Sequence, residues 1–165
     1  MDTAKEWENY LFNLKDGDLP FLNEEKFTGL IKTIIDVLSI QTTVGKFNID
    51  EKSKELGSNF LDTDLSYGYI YGFCDAISRS SKYTGVKEIF VIWTNVVRHL
   101  TKVTNNVKEF SPYFSLIQTK FIKDKKSEFY KGCEVGGRDA VDWLKSGESV
   151  LGLLILLETH KFKKK

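Results

Sequence analysis

Gly68-Tyr69-Ile70-Tyr71-Gly72-Phe73-Cys74-Asp75-Ala76-Ile77 has a counterpart sixty-four positions later, Gly132-Cys133-Glu134-Val135-Gly136-Gly137-Arg138-Asp139-Ala140-Val141. Both read G-x-x-x-G-x-x-D-A followed by an aliphatic residue. At 100° per residue, Gly68, Gly72 and Asp75 fall within a narrow arc of one helix face, flanked by Ala76. Gly132, Gly136, Asp139 and Ala140 do the same. Each helix-interior glycine costs up to ~1 kcal/mol relative to alanine, so four cost roughly 3–4 kcal/mol. That is a sizeable part of a typical stability of about 5–15 kcal/mol, so something must offset it. Side chains of zero size let a second helix approach closely, the small-xxx-small logic best known in membranes. Gly68, Gly72, Gly132 and Gly136 are therefore expected to form a helix crossing. A sharper reading leaves room for a ligand beside the aspartates.

Working outward, the chain reads as helices throughout. Residues 3–15 carry Trp7, Leu11 and Leu14 at helical spacing, and Asp16 to Pro20 break that helix. Asn23 is an N-cap candidate for a helix through Phe27, Leu30, Ile31, Ile34, Ile35 and Leu38, which Gln41 to Gly45 is expected to end. Residues 50–83 form the first long helix, with Gly57-Ser58-Asn59 as a point of interruption and Thr84-Gly85 as its close. A shorter helix runs through Ile89, Trp93 and Leu100, and Thr101 to Asn106 is a polar exit. Ser111-Pro112 reads as a capping hydroxyl followed by proline at the first helical position, opening a second long helix to Lys145. Ser146-Gly147 closes it, and Ser149 to Thr159 is the last helix.

The helices preceding the two long segments also align: Ile34, Ile35 and Leu38 match Val96, Val97 and Leu100 at an offset of sixty-two. The expected fold is all-α: one domain over residues 1–165, a bundle of about six helices built from a duplicated helical hairpin. The repeats cover approximately 24–85 and 86–147, with a C-terminal helix at 148–160. Two copies are too few for a solenoid, so a compact bundle with approximate internal two-fold symmetry fits better.

Composition narrows the function classes. Hydrophobic content of 41% and charged content of 28% are ordinary for a globular protein. The longest apolar run, Val150 to Leu157, is eight residues, against about 20 for a membrane span. The polar amino terminus carries no secretory signal pattern, and two cysteines make no disulfide framework, so a cytoplasmic location is expected. A net charge of +1 hides a polarity: residues 1–64 carry thirteen acids and seven lysines, residues 65–165 ten acids and seventeen bases.

Known catalytic signatures are missing. The chain has no Walker loop, G-x-S-x-G elbow, H-E-x-x-H or C-x-x-C, and its only histidines are His99 and His160. Asp62-x-Asp64-x-Ser66 resembles the start of a calcium loop, but Phe73 stands where the twelfth-position glutamate is needed. No cofactor and no metal-ligand set is expected. The candidate ligand-binding residues are Asp75, Tyr67 and Tyr71 on one long helix with Glu134, Arg138 and Asp139 on the other. Glu134 and Arg138 are spaced for an i, i+4 ion pair. Paired carboxylates from crossing helices can bind a divalent cation or act as acid and base.

By elimination, the expected function is a non-enzymatic module that binds another protein, as a regulator, adaptor or immunity-type inhibitor. Two alternatives stand beside it. One is a small-molecule or metal-dependent enzyme using the carboxylates of the two long helices. The other is polyanion or nucleic-acid binding through the basic C-terminal half, where Lys120 to Lys131 are dense but diluted by Asp124 and Glu128.

Overall fold

The computed structural model describes residues 24–56, 63–101, 110–148 and 150–159. Every regular element among them is helical: α1 (Glu25–Leu56), α2 (Asp64–Arg79), α3 (Val86–Thr101), α4 (Ser111–Thr119), a 3-10 turn (Phe121–Lys123), α5 (Glu128–Ser146) and α6 (Gly152–Thr159). The all-α expectation holds for these residues. The expected helix at 3–15, its break at Asp16 to Pro20, the Asn23 cap, the interruption at Gly57-Ser58-Asn59 and the polar exit after Thr101 lie outside them.

The helix pair α2–α5 is the centre of the molecule and has its most extensive packing. A Cβ built on Gly68 would sit 2.0 Å from the carbonyl oxygen of Phe129, and one on Gly72 would sit 2.1 Å from that of Cys133. Conversely, a Cβ on Gly132 would lie 2.1 Å from the Leu65 carbonyl oxygen, and one on Gly136 would lie 2.0 Å from that of Tyr69. Contacting positions rise together along both helices, so the two run parallel. The exchange is reciprocal, because Phe129 and Cys133 stand sixty-four positions after Leu65 and Tyr69. In place of a methyl group, each glycine aims a Cα–H at a carbonyl of the facing helix. Such contacts contribute about 0.5–1 kcal/mol each, which offsets much of the propensity cost of the glycines.

The other helices wrap this pair. α1 lies antiparallel to α2, with Glu24 at Tyr83 and Gln41 at Tyr69. It also packs on α3 and α6, while α3 packs on α2. The buried stripe of α1 is Phe27, Ile34, Leu38 and then Gln41. An aromatic cluster fills the core among α2, α3, α4 and α5: Trp93 stacks on Tyr113 at 5.8 Å, and Phe114 meets Phe90 at 4.9 Å. The Trp93 indole N–H donates to the Tyr67 carbonyl at 3.2 Å.

Helix boundaries differ from the sequence reading in four places, each for a local reason. Gln41 to Gly45 does not end a helix, because α1 continues to Leu56. With no proline there, Gly45 weakens the helix by about 1 kcal/mol but does not block it. Residues 50–83 divide between α1 and α2, and the interruption expected near Gly57-Ser58-Asn59 lies outside the described residues. α2 starts afresh after Thr63, whose hydroxyl accepts from the Ser66 N–H at 3.2 Å. It stops at Arg79, where Ser80 and Ser81 turn their hydroxyls back to the carbonyls of Ile77 and Ser78.

Ser111 is not a cap but the first residue of α4. Phe110 precedes it without a side-chain cap, and Pro112 sits in the first turn, where a missing N–H costs nothing. The helix expected from 111 to 145 is two helices. Asp124 accepts from the Lys126 N–H at 3.0 Å, and Ser127 caps α5 by accepting from the Tyr130 N–H at 3.1 Å. These side chains satisfy the backbone of a turn without glycine or proline. Gly147 ends α5 with φ of 69°, in the left-handed region, and its N–H donates to the Trp143 carbonyl.

Candidate functional site

The polar focus of the molecule lies beside the glycine crossing, where α1, α2, α5 and the start of α6 meet. Gln41 Nε2 donates to Tyr69 Oη at 2.8 Å. Tyr69 Oη donates to Asp139 Oδ2 at 2.5 Å. The same carboxylate oxygen accepts from the Gly152 N–H at 2.9 Å. The start of α6 thus presents its positive end to a carboxylate. Gly152 must lack a side chain for this, since a Cβ there would fall 2.4 Å from Asp139 Oδ2 and 2.8 Å from Val135 Cγ1. Burial, reinforced by the Asp139 carboxylate, pushes the Tyr69 phenol well above its ordinary range. It therefore stays protonated and keeps donating.

Asp75, the counterpart of Asp139, has a different environment. It accepts from Arg79 Nε at 3.1 Å, one turn along its own helix. Burial pushes its carboxyl pKa up, and Arg79 opposes that shift. Two equivalent aspartates are what an internal two-fold axis predicts, and the surroundings do not match. Tyr69 supplies the hydroxyl at Asp139, whereas the position sixty-four later is Cys133, which carries none. The Cys133 thiol sits near Asp75 and is pushed up to about 11, mainly by burial.

The remaining candidates are dispersed. The Tyr71 hydroxyl accepts from Gln118 Nε2 at 2.9 Å, and burial raises its pKa. Tyr67 packs its ring edge-on against Trp93 and Tyr113. Glu134 and Arg138 are both exposed, and their expected ion pair is not among those within 4.0 Å in the described residues. No group of three or more His, Cys, Asp and Glu side chains suited to hold a metal ion occurs among the described residues.

Sequence reasoning missed Gln41, Tyr69 and Gly152. Gln41 had a legible signal, as it occupies the next position of the Phe27–Ile34–Leu38 stripe. A polar residue there must find a partner in the core. Its Oε1 is buried with no hydrogen-bond partner among the described residues. No helix of the described residues is long and apolar enough to cross a membrane. No protein-family model matches the chain, and no curated protein or solved structure is significantly similar to it.

Proposed function

We propose that the chain is a non-enzymatic helical protein-binding module, acting in the cytoplasm as a regulator, adaptor or immunity-type inhibitor. One observation carries this reading. The polar groups nearest the helix crossing, Gln41, Tyr69, Asp139 and Tyr71, are engaged with other groups of the same chain. Large apolar side chains stand outside instead: Val141, Leu144, Leu151 and Ile155 are all exposed. Exposed apolar anchors beside charged side chains suit recognition of another protein. The same reading takes the fold as a duplicated hairpin. The matching motifs and the reciprocal glycine contacts support duplication, and Asp139 then acquired its own partners in one copy.

An affinity purification with this chain tests the proposal. The expected result is one protein partner in stoichiometric amount. Its binding should weaken as salt rises, since charges are screened beyond about 8–10 Å at physiological ionic strength. Recovery of nucleic acid alone would favour the polyanion reading. That alternative rests on Lys120, Lys123, Lys125, Lys126 and Lys131, all exposed around the start of α5.

A further inference from the structure

We propose that the outer face of α6, together with the lysines that follow it, binds an anionic lipid surface and holds the chain at the membrane periphery. This goes beyond the protein-binding reading and leaves Val141 and Leu144 on α5 to that partner.

The helix is the first reason. Gly152-Leu153-Leu154-Ile155-Leu156-Leu157 contains no polar side chain. A helix that is apolar on every side is normally covered on every side. The inner side of α6 packs on α1 and α5, with Val150 and Leu153 buried. Leu151 and Ile155 are 47% and 61% exposed. The Ile155 N–H donates to the Leu151 carbonyl at 3.1 Å, so both share the helical register. At 100° per residue, each lies about 160° around the helix from buried Leu153, and together they form the outer face.

Charge identifies the occupant. Residues 160–165 read His160-Lys161-Phe162-Lys163-Lys164-Lys165, four lysines and no acid. Six residues reach at most about 20 Å, so these lysines stay close to the end of α6. Anionic headgroups attract a basic run of this kind. Stable attachment to a membrane surface takes two signals, and here an apolar face and a basic run adjoin. Nucleic acid would account for the lysines and leave Leu151 and Ile155 unused. Protein interfaces are enriched in arginine and depleted in lysine, whereas this run has lysine alone. Glu158 is the only charged residue of α6 and falls on the arc of Leu151 and Ile155, in the last turn. It stands next to the lysines, so the end of α6 nearest Leu151 is the part that enters the lipid.

Vesicle flotation is the test, since it needs this chain and lipid only and does not depend on a protein partner. The wild type is expected to float with vesicles of phosphatidylcholine and phosphatidylserine in equal parts. With phosphatidylcholine alone, binding should be weaker by about tenfold or more. Leu151→Ser with Ile155→Ser should weaken binding by about tenfold or more, while Leu144→Ser on α5 should leave it unchanged. Lys163→Gln, Lys164→Gln and Lys165→Gln should each cost about fivefold. Glu158→Gln should tighten binding, because it removes a charge repelled by the headgroups. The serine pair changes exposed side chains only, and circular dichroism checks that its helices persist. Absence of binding to the mixed vesicles would overturn the proposal. So would equal binding to neutral vesicles, or binding indifferent to the serine pair. Loss of a protein complex or of self-association in the serine pair, with vesicle binding intact, would assign the face to that other occupant instead.

Discussion

Tyr69 Oη donates to Asp139 Oδ2 across a 2.5 Å hydrogen bond that joins α2 to α5. This contact orders the polar groups around it. A carboxylate only accepts, so the tyrosine oxygen is left to accept from the Gln41 amide N–H. The amide orientation of Gln41 is thereby fixed, with Oε1 buried and without a donor among the described residues. A trapped water is the usual partner for such an atom.

Tyr69→Phe and Asp139→Ala are each expected to destabilise the chain by about 1–3 kcal/mol, because each strands a buried polar partner. Asp139→Ala also frees the Gly152 N–H, so it should be the worse of the two. The residues share one network, so the double mutant should fall short of the sum by about 0.5–3 kcal/mol. Urea melts of the three variants check this. Strict additivity would mean that the hydrogen bond contributes nothing to stability.

The glycines divide into two classes that alanine scanning separates. Gly72→Ala and Gly136→Ala each put a methyl group 2.0–2.1 Å from a backbone carbonyl oxygen. Neither carbonyl can swing aside without disturbing its helix, so α2 and α5 must separate. A loss of about 1–3 kcal/mol or more is expected for each. Gly29, on α1, has nothing within 4 Å of its Cβ position. Gly29→Ala should therefore raise stability by up to ~1 kcal/mol through helix propensity alone. Thermal melts that ranked Gly29→Ala below either crossing variant would contradict the close-packed pair.

Helical character was legible because α3 and α5 carry long periodic patterns, and because the chain has only two prolines. The glycine motifs pointed to the helices that turn out to form the central pair. The boundaries were harder. Asp124 and Ser127 break a helix by hydrogen bonding to local backbone, and a polar pair in a lysine-rich stretch looks the same on a solvated helix face. Conversely, Gln41 to Gly45 has the composition of a turn yet remains within α1. The Asp139 network was the least legible part. Its members lie on α1, α2, α5 and α6, and only tertiary packing brings Gln41 and Gly152 to one carboxylate. Tyr67 and Tyr71 drew attention from Tyr69, the tyrosine that reaches Asp139.

Asp75 gives the prediction most opposed to motif logic. Asp75 and Asp139 occupy the same place in the repeat, which argues that losing either should destabilise the chain. Their surroundings argue otherwise. Asp139 receives two donors from other segments of the chain, whereas Asp75 has Arg79, whose side chain is 76% exposed. An ion pair with so exposed a partner is worth about 0–1 kcal/mol. Against that small gain stands the burial of the carboxylate, which raises its pKa above the ordinary 3.8. A raised carboxyl pKa means that the folded chain binds this proton more tightly than the unfolded chain does. The contribution to stability is therefore full below pH 3.8 and is lost as pH rises through the raised value. Asp75→Asn removes that loss while keeping a group that can accept from Arg79. The expected outcome is a higher melting midpoint than wild type at pH 7, with the difference shrinking toward zero as the pH falls below 3.8. Paired melts of both proteins across that range check it. A midpoint below wild type at pH 7, recovering in acid, would show instead that the ionised Asp75 carboxylate stabilises the fold.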